Sequence, residues 1–219
     1  MAPWVMHLRI AELLENALKI ADRTAYYVGT VAPDSGRMTG DFDYVPPKDV
    51  SHWKREGVTI EERIELNRAF YEKYVKGETD PSRRAFYLGY YVHILTDTLF
   101  VRDVIKPFIQ VATRPVWRAR INEIRACWYD IDFRFVASHP GYEPLALLGG
   151  VNGFPDGWLD YFGPGDVAER VDYINKLYRD SRPNPEIEFI TLDVPGADSF
   201  VKNAAKEIEK LICGQNITE

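Results

Sequence analysis

The chain has four histidines, and three of them fall where metal chemistry would need them. His93 and Asp97 stand four residues apart in YYVHILTDTLF, which puts an imidazole and a carboxylate on one helix face, a turn apart. Such a pair can hold a divalent ion together. His7 lies in the first apolar-periodic segment, Asp34 in VAPD and His52 in the short run SHW. Nitrogen and oxygen donors of this mixture suit zinc, with manganese, iron or nickel as other fits. Asp97 sits in the most apolar stretch of the chain, with no Lys or Arg within the preceding turn. A buried ionised carboxylate needs a partner or a metal. Taken alone, HxxxD is more often a buried hydrogen-bonded pair that fixes helix packing, and the metal reading gains its weight from the neighbouring His7, Asp34 and His52. The plain alternatives are a helix-edge His7, a loop-surface His52 and a turn-forming Asp34.

These residues need elements to carry them. Val5 to Ala21 repeats apolar residues at spacings of three and four, which predicts a helix. A second is expected over Thr59–Val75, where Thr59 and Glu62 have the spacing of a capping box. A third begins after Asp80-Pro81-Ser82 and is apolar nearly all round, the pattern of a central helix. A fourth is expected from about Arg114-Pro115 to Val136, with Ile121, Ile124, Trp128, Ile131 and Phe135 inward. Shorter helices follow at Asp166–Tyr178 and Ala197–Ile212, and Glu186–Val194 reads as one edge strand. Thr30–Gly57 and Pro140–Pro164 are rich in Gly and Pro and read as long loops. The expected fold is all-α: one helical domain over residues 1–219 with two long loop insertions.

At 219 residues, with 46 % hydrophobic and 27 % charged residues, the chain has the composition of a globular domain. Its net charge of -6 argues against a stable nucleic-acid complex. Cys127 and Cys213 make neither a metal motif nor a disulfide framework. There is no run of about 18 apolar residues, so no membrane span is expected. The N-terminal segment has no basic leader before an uninterrupted apolar core, and the expected location is the cytoplasm.

Ala85–Asp97 (AFYLGYYVHILTD) resembles the core motif of zinc-dependent bacterial phospholipase C, whose superfamily includes single-strand-specific nucleases. Ser51–Trp53 resembles the second loop histidine of that family, His7–Leu14 its first-helix histidine, and Val31–Asp34 its loop aspartate. The resemblance spans residues 7–97 and implies an all-α bundle of the phospholipase C and nuclease type. It implies one ion held by Asp34, His52, His93 and Asp97, and a second between His7 and Asp97, with Asp97 bridging. One or two zinc ions, or another divalent transition metal, are expected.

The implied activity is phosphate-ester hydrolysis, in the first place phosphodiester cleavage, with a metal-activated hydroxide attacking phosphorus in line. Asp34 and Asp97 are then the catalytic residues, and Asp34 doubles as proton acceptor. The family completes its second site with an N-terminal tryptophan, whereas Trp4 here is internal. Its third zinc, held by a later His and a HxxxE, is not expected in the usual form. Asp103, ten residues after His93, and Asp132 in WYDIDF are candidate additional ligands or supports. Asp130 is read as solvated and His139 as a loop residue. Arg37, Lys48 and Lys54 are candidate phosphate contacts, and Tyr26, Tyr27, Tyr90 and Tyr91 are split between cleft and core. The expected partner is a small phosphodiester or nucleotide-like substrate. The alternative is a non-catalytic metalloprotein in which the metal staples residues 30–57 to the helices.

Overall fold

The computed structural model describes residues 1–39 and 44–214, so part of the first expected loop, 40–43, lies outside the described residues. Nine α-helices are present among them: α1 (Trp4–Leu18), α2 (Arg23–Val31), α3 (Lys48–Ser51), α4 (Ile60–Phe70), α5 (Pro81–Phe100), α6 (Lys106–Ser138), α7 (Glu143–Gly149), α8 (Asp166–Asp180) and α9 (Val194–Cys213). The strand content among the described residues is one antiparallel pair, with Arg37 opposite Val45 and Met38 opposite Tyr44. The fold is all-α.

The centre is α5. Asp80 accepts from the Arg83 amide at 2.8 Å, Pro81 opens the first turn, and every residue from Ala85 to Phe100 is buried. A helix hydrophobic on all sides must be surrounded. Its closest neighbour is α2, which lies mostly between the first expected helix and the loop expected from Thr30 and is not foreseen in the sequence. Gly29 and Gly89 are the reason for the closeness. A Cβ on Gly29 would lie 2.0 Å from the Phe86 carbonyl oxygen, and one on Gly89 2.0 Å from that of Tyr26. Only hydrogen at both positions lets the two backbones meet. Tyr26, Tyr27, Tyr90 and Tyr91 are fully buried, so all four belong to the core.

The capping box of α4 is present: Thr59 Oγ1 accepts from the Glu62 amide at 3.2 Å, and Glu62 returns a bond to the Thr59 amide at 2.7 Å. A π-helical segment, Tyr71–Val75, continues it. Buried apolar residues running from Ala2 to Ile212, Ile60 and Cys127 excepted, form one contiguous cluster.

Four expectations need correction. The fourth helix does not start at Pro115 but runs through it from Lys106, joined to α5 by a π-helical segment, Val101–Ile105. Proline removes one intrahelical bond, and Val111, four residues before it, is 87 % exposed, so water can serve the freed carbonyl. Neither long loop is wholly irregular: Thr30–Gly57 holds the end of α2, a 3-10 turn and α3, and Pro140–Pro164 holds α7. Of the expected strand Glu186–Val194, residues 186–193 are irregular and Val194 opens α9. The irregular segment has no strand to pair with, and side chains of α6 pin it instead: Cys127 Sγ donates to the Glu188 carbonyl at 3.1 Å and Trp128 Nε1 to Thr191 Oγ1 at 2.8 Å. The last helix starts at Val194, capped by Asp193, whose carboxylate accepts from the Gly196 amide at 2.8 Å.

Candidate metal centre

Four elements converge at the middle of the molecule. His7 comes from α1 and His93 and Asp97 from α5; Asp34 ends a 3-10 turn (Ala32–Asp34) after α2, and His52 follows α3 directly. All five are buried. His7 Nε2 lies 3.4 Å from Asp97 Oδ1, and His52 Nε2 and His93 Nε2 each lie 3.7 Å from Asp97 Oδ2. His52 Nε2 is 3.4 Å from Asp34 Oδ1. The His7 and His93 rings stack with centroids 3.9 Å apart and planes 1° from parallel. Two triads with metal-ligand spacing result, His7–His93–Asp97 and Asp34–His52–His93, with His93 common to both.

The fit to a metal is visible in the hydrogen bonding. Buried polar atoms in a folded protein are nearly always partnered. Here His7 Nε2, His52 Nε2, His93 Nε2 and Asp97 Oδ2 are all buried without a hydrogen-bond partner. The far nitrogens of two rings are fixed. His93 Nδ1 lies 2.8 Å from the Thr30 carbonyl oxygen and His52 Nδ1 2.9 Å from Ser51 Oγ. The carbonyl makes His93 Nδ1 the protonated nitrogen and turns the Nε2 lone pair to the centre. Outer partners that set a ligand's tautomer in this way are typical of metal sites. Tyr90 on α5 donates to the Ser51 carbonyl and so ties the His52 loop to the central helix.

Protonation states agree. Burial, aided by the neighbouring His7, pushes His93 down to about 3, and burial also lowers His52, so both imidazoles are neutral at pH 7. Burial works to raise Asp34, but the Lys48 ammonium and the adjoining His52 outweigh it and hold the carboxyl well below the usual range. Neutral imidazoles and an ionised carboxylate are the ligand forms a cation requires. The donor set is nitrogen and oxygen without thiolate, which fits zinc and its divalent neighbours.

The remaining sequence candidates are elsewhere. Asp103 is held by Arg102, Nε to Oδ1 2.6 Å, on the helix surface. Asp132 is buried but points to the start of α1: its Oδ2 accepts from the Val5 amide at 2.8 Å and the Tyr178 hydroxyl at 2.6 Å. It does the work of a cap that Pro3 has no side-chain donor or acceptor to do. Asp130 is buried, not solvated, and is paired with Arg134 at 2.5 Å. Arg37 is bound to Asp166 at 3.0 Å. HxxxE spacings do occur, at His52–Glu56 and His139–Glu143. However, His139 is exposed and stacks on Phe135 at 4.0 Å, and Glu143 pairs with Arg23. Neither spacing yields a third cluster among the described residues.

A cavity of about 270 Å³ opens beside Asp34. Trp4 forms part of its wall, and its indole nitrogen donates to Asp34 Oδ2 at 2.8 Å. Lys48 lines the cavity and donates to Asp34 Oδ1 at 3.0 Å; Arg125, Arg170, Tyr129 and Tyr173 line the rest of that side. Sequence reasoning found Lys48 and missed both arginines, because it searched for phosphate contacts only near the histidine loop. A signal was there for one of them: Arg170 and Tyr173 are spaced i,i+3 on a helix, which sets a guanidinium beside an aromatic ring.

Comparison with known proteins agrees with this geometry. Residues 6–100 match the family model described as zinc dependent phospholipase C. The matched segment carries all five clustered residues and stops at the end of α5. Neither the curated proteins nor the solved structures gave a match. No helix of the described residues is long and apolar enough to cross a membrane.

Proposed function

We propose that the protein is a metal-dependent hydrolase of phosphate esters, a phosphodiesterase in the first place, working as a single unit over residues 1–219. The observation that carries this reading is the set of unpartnered buried atoms on His7, His52, His93 and Asp97, next to a cavity lined by cations. His7, Asp34, His52, His93 and Asp97 would hold one or two ions, with zinc the best match to the donors. The bound metal supplies Lewis acidity toward phosphoryl oxygens and lowers the pKa of water.

The protein's own residues do the rest. Asp34 and Asp97 supply the negative charge that retains a divalent ion. Asp34 borders the cavity, and in this reading its ionised carboxylate accepts a hydrogen bond from the attacking water and orients it, with proton acceptance the role assigned to it once the pKa of that water is lowered. Lys48 stands beside it to hold a phosphoryl oxygen. Trp4 keeps the Asp34 carboxylate in orientation through its indole donor. The small volume of the cavity favours a small phosphodiester over a polymer.

The second reading, a metal that only staples residues 30–57 to the helices, draws on Asp34 and His52, which both come from that segment. The cationic cavity has no part in it. The test is Asp97→Asn and Lys48→Ala on zinc-loaded protein with 4-nitrophenyl phosphodiesters. Hydrolysis in the wild type, its loss together with metal in Asp97→Asn, and reduced turnover with metal retained in Lys48→Ala are expected. Full occupancy by metal without turnover of any phosphodiester would leave the staple.

A further inference from the structure

The cavity beside Asp34 has an unusual balance of charge. Among the described residues its lining holds three cationic side chains, Lys48, Arg125 and Arg170, and one acid, Asp34. Lys48 is engaged with that acid. Among the described residues neither arginine is ion-paired, and Arg170 Nε is buried without a hydrogen-bond partner. An uncompensated guanidinium nitrogen at a cavity wall is a donor waiting for an acceptor.

The aromatic groups reinforce this. Trp4 packs against Tyr129 and Tyr173, with ring centroids 5.7 Å away in both cases. An aromatic cluster of this kind could receive an organic cation. Here the position is filled from within: the Arg170 guanidinium carbon lies 5.5 Å from the Trp4 ring centroid and 5.4 Å from that of Tyr173. A quaternary ammonium entering the cavity would meet like charge on rings already covered. A guanidinium, by contrast, presents paired donors suited to a phosphate or carboxylate.

We infer that the substrate carries a second anionic group, a phosphate or carboxylate, on the part that fills this cavity, and that Arg125 and Arg170 select it. Arg170 is braced by Trp4 and Tyr173, so its fork is preorganised. Arg125 is exposed at the rim and adds field and a second donor set. The inference rests on the phosphoesterase reading and gives it a substrate class: small diesters with an acidic appendage, whether free in solution or as a lipid headgroup.

The test is calorimetric binding to the zinc-loaded full chain, which does not depend on turnover. The probes are 1,3-propanediol bisphosphate and phosphocholine. The bisphosphate should bind at least about tenfold more tightly, and Arg125→Gln and Arg170→Gln should each weaken it by about tenfold while changing phosphocholine less than about twofold. Arg170→Lys should recover only part of the loss, because charge without the fork remains. Phosphocholine binding as tightly as the bisphosphate, or both variants weakening the two probes alike, overturns the inference. A bisphosphate-headed lipid in vesicles separates the sources. Much tighter binding there than of the soluble probe indicates a headgroup; equal binding indicates a free small molecule; both satisfy the inference. Zinc-loaded protein that binds the bisphosphate selectively but cleaves no phosphodiester defeats the phosphoesterase reading alone.

Discussion

Two buried aspartates lie in the same core, and they differ in what surrounds them. Asp132, on α6, accepts at Oδ2 from both the Val5 amide and the Tyr178 hydroxyl, and neither of its oxygens is left buried without a partner. Asp97, on α5, meets three imidazoles whose inward nitrogens have no hydrogen-bond partner, and its own Oδ2 has none either. Burial is equal, so burial does not tell a structural carboxylate from a ligand. Completeness of the hydrogen-bond set does. A finished cluster holds a helix end in place, whereas an unfinished one made of neutral imidazoles and carboxylates is a site for a cation.

The comparison can be broken most severely at Asp97. Asp97→Asn should lower zinc affinity by more than about 100-fold, beyond the usual effect of changing an outer partner, and abolish ester hydrolysis. Equilibrium dialysis against a zinc chelator measures it. Asp132→Asn should leave zinc content unchanged.

Metal removal comes next. At a free-metal concentration about 1,000 times Kd, binding contributes about 4 kcal/mol, so stripping should lower Tm by roughly 8–16 °C in a chain of this size. Differential scanning calorimetry with and without chelator reads the shift. The Asp97→Asn protein should show almost none.

Asp132 gives the reverse signature. Its burial pushes the carboxyl up to about 7, against an ordinary value of 3.8. A raised pKa means that the folded state prefers the protonated form. The associated stability is full below about pH 4 and is lost as pH rises to about 7, amounting to a few kcal/mol at about 1.4 per unit. Asp132→Asn cannot ionise and keeps an acceptor oxygen for Val5 and Tyr178. Urea unfolding across pH 4–8 should show the variant gaining on the wild type as pH rises. A constant difference would contradict the burial argument.

The smallest effect expected is at Ser51. Ser51→Ala removes the Oγ partner of His52 Nδ1 and should weaken zinc binding by about tenfold without changing the fold. Metal titration followed by Tm would resolve it.

The sequence carried the five clustered residues because their signals are local or ordered: HxxxD is one helical turn, and SHW, VAPD and His7 follow a family's order. The central helix was equally legible, since an apolar run with Asp80 and Pro81 at its start has one stable use. What stayed hidden depends on contacts between distant segments. Helix α2 is short and Gly-containing, and it becomes intelligible only when Gly29 meets the backbone of α5. Asp132 was suspected as a ligand on its helix face alone, and its partners come from α1 and α8. Arg125 and Arg170 come from α6 and α8 and meet only at the cavity. Glu186–Val194 has the composition of a strand, and residues 186–193 stay irregular because α6 offers them side chains and no edge.

The central claim is that the unpartnered atoms around Asp97 mark a metal site. The most direct measurement is elemental analysis of protein stripped with chelator, reloaded with zinc and passed through a desalting column, beside the Asp97→Asn and Asp132→Asn proteins. The account predicts one to two zinc ions retained per chain by the wild type and by Asp132→Asn, and none by Asp97→Asn. Wild-type protein that retains no zinc, manganese, iron or nickel would contradict it and make His93 and Asp97 a core pair like any other.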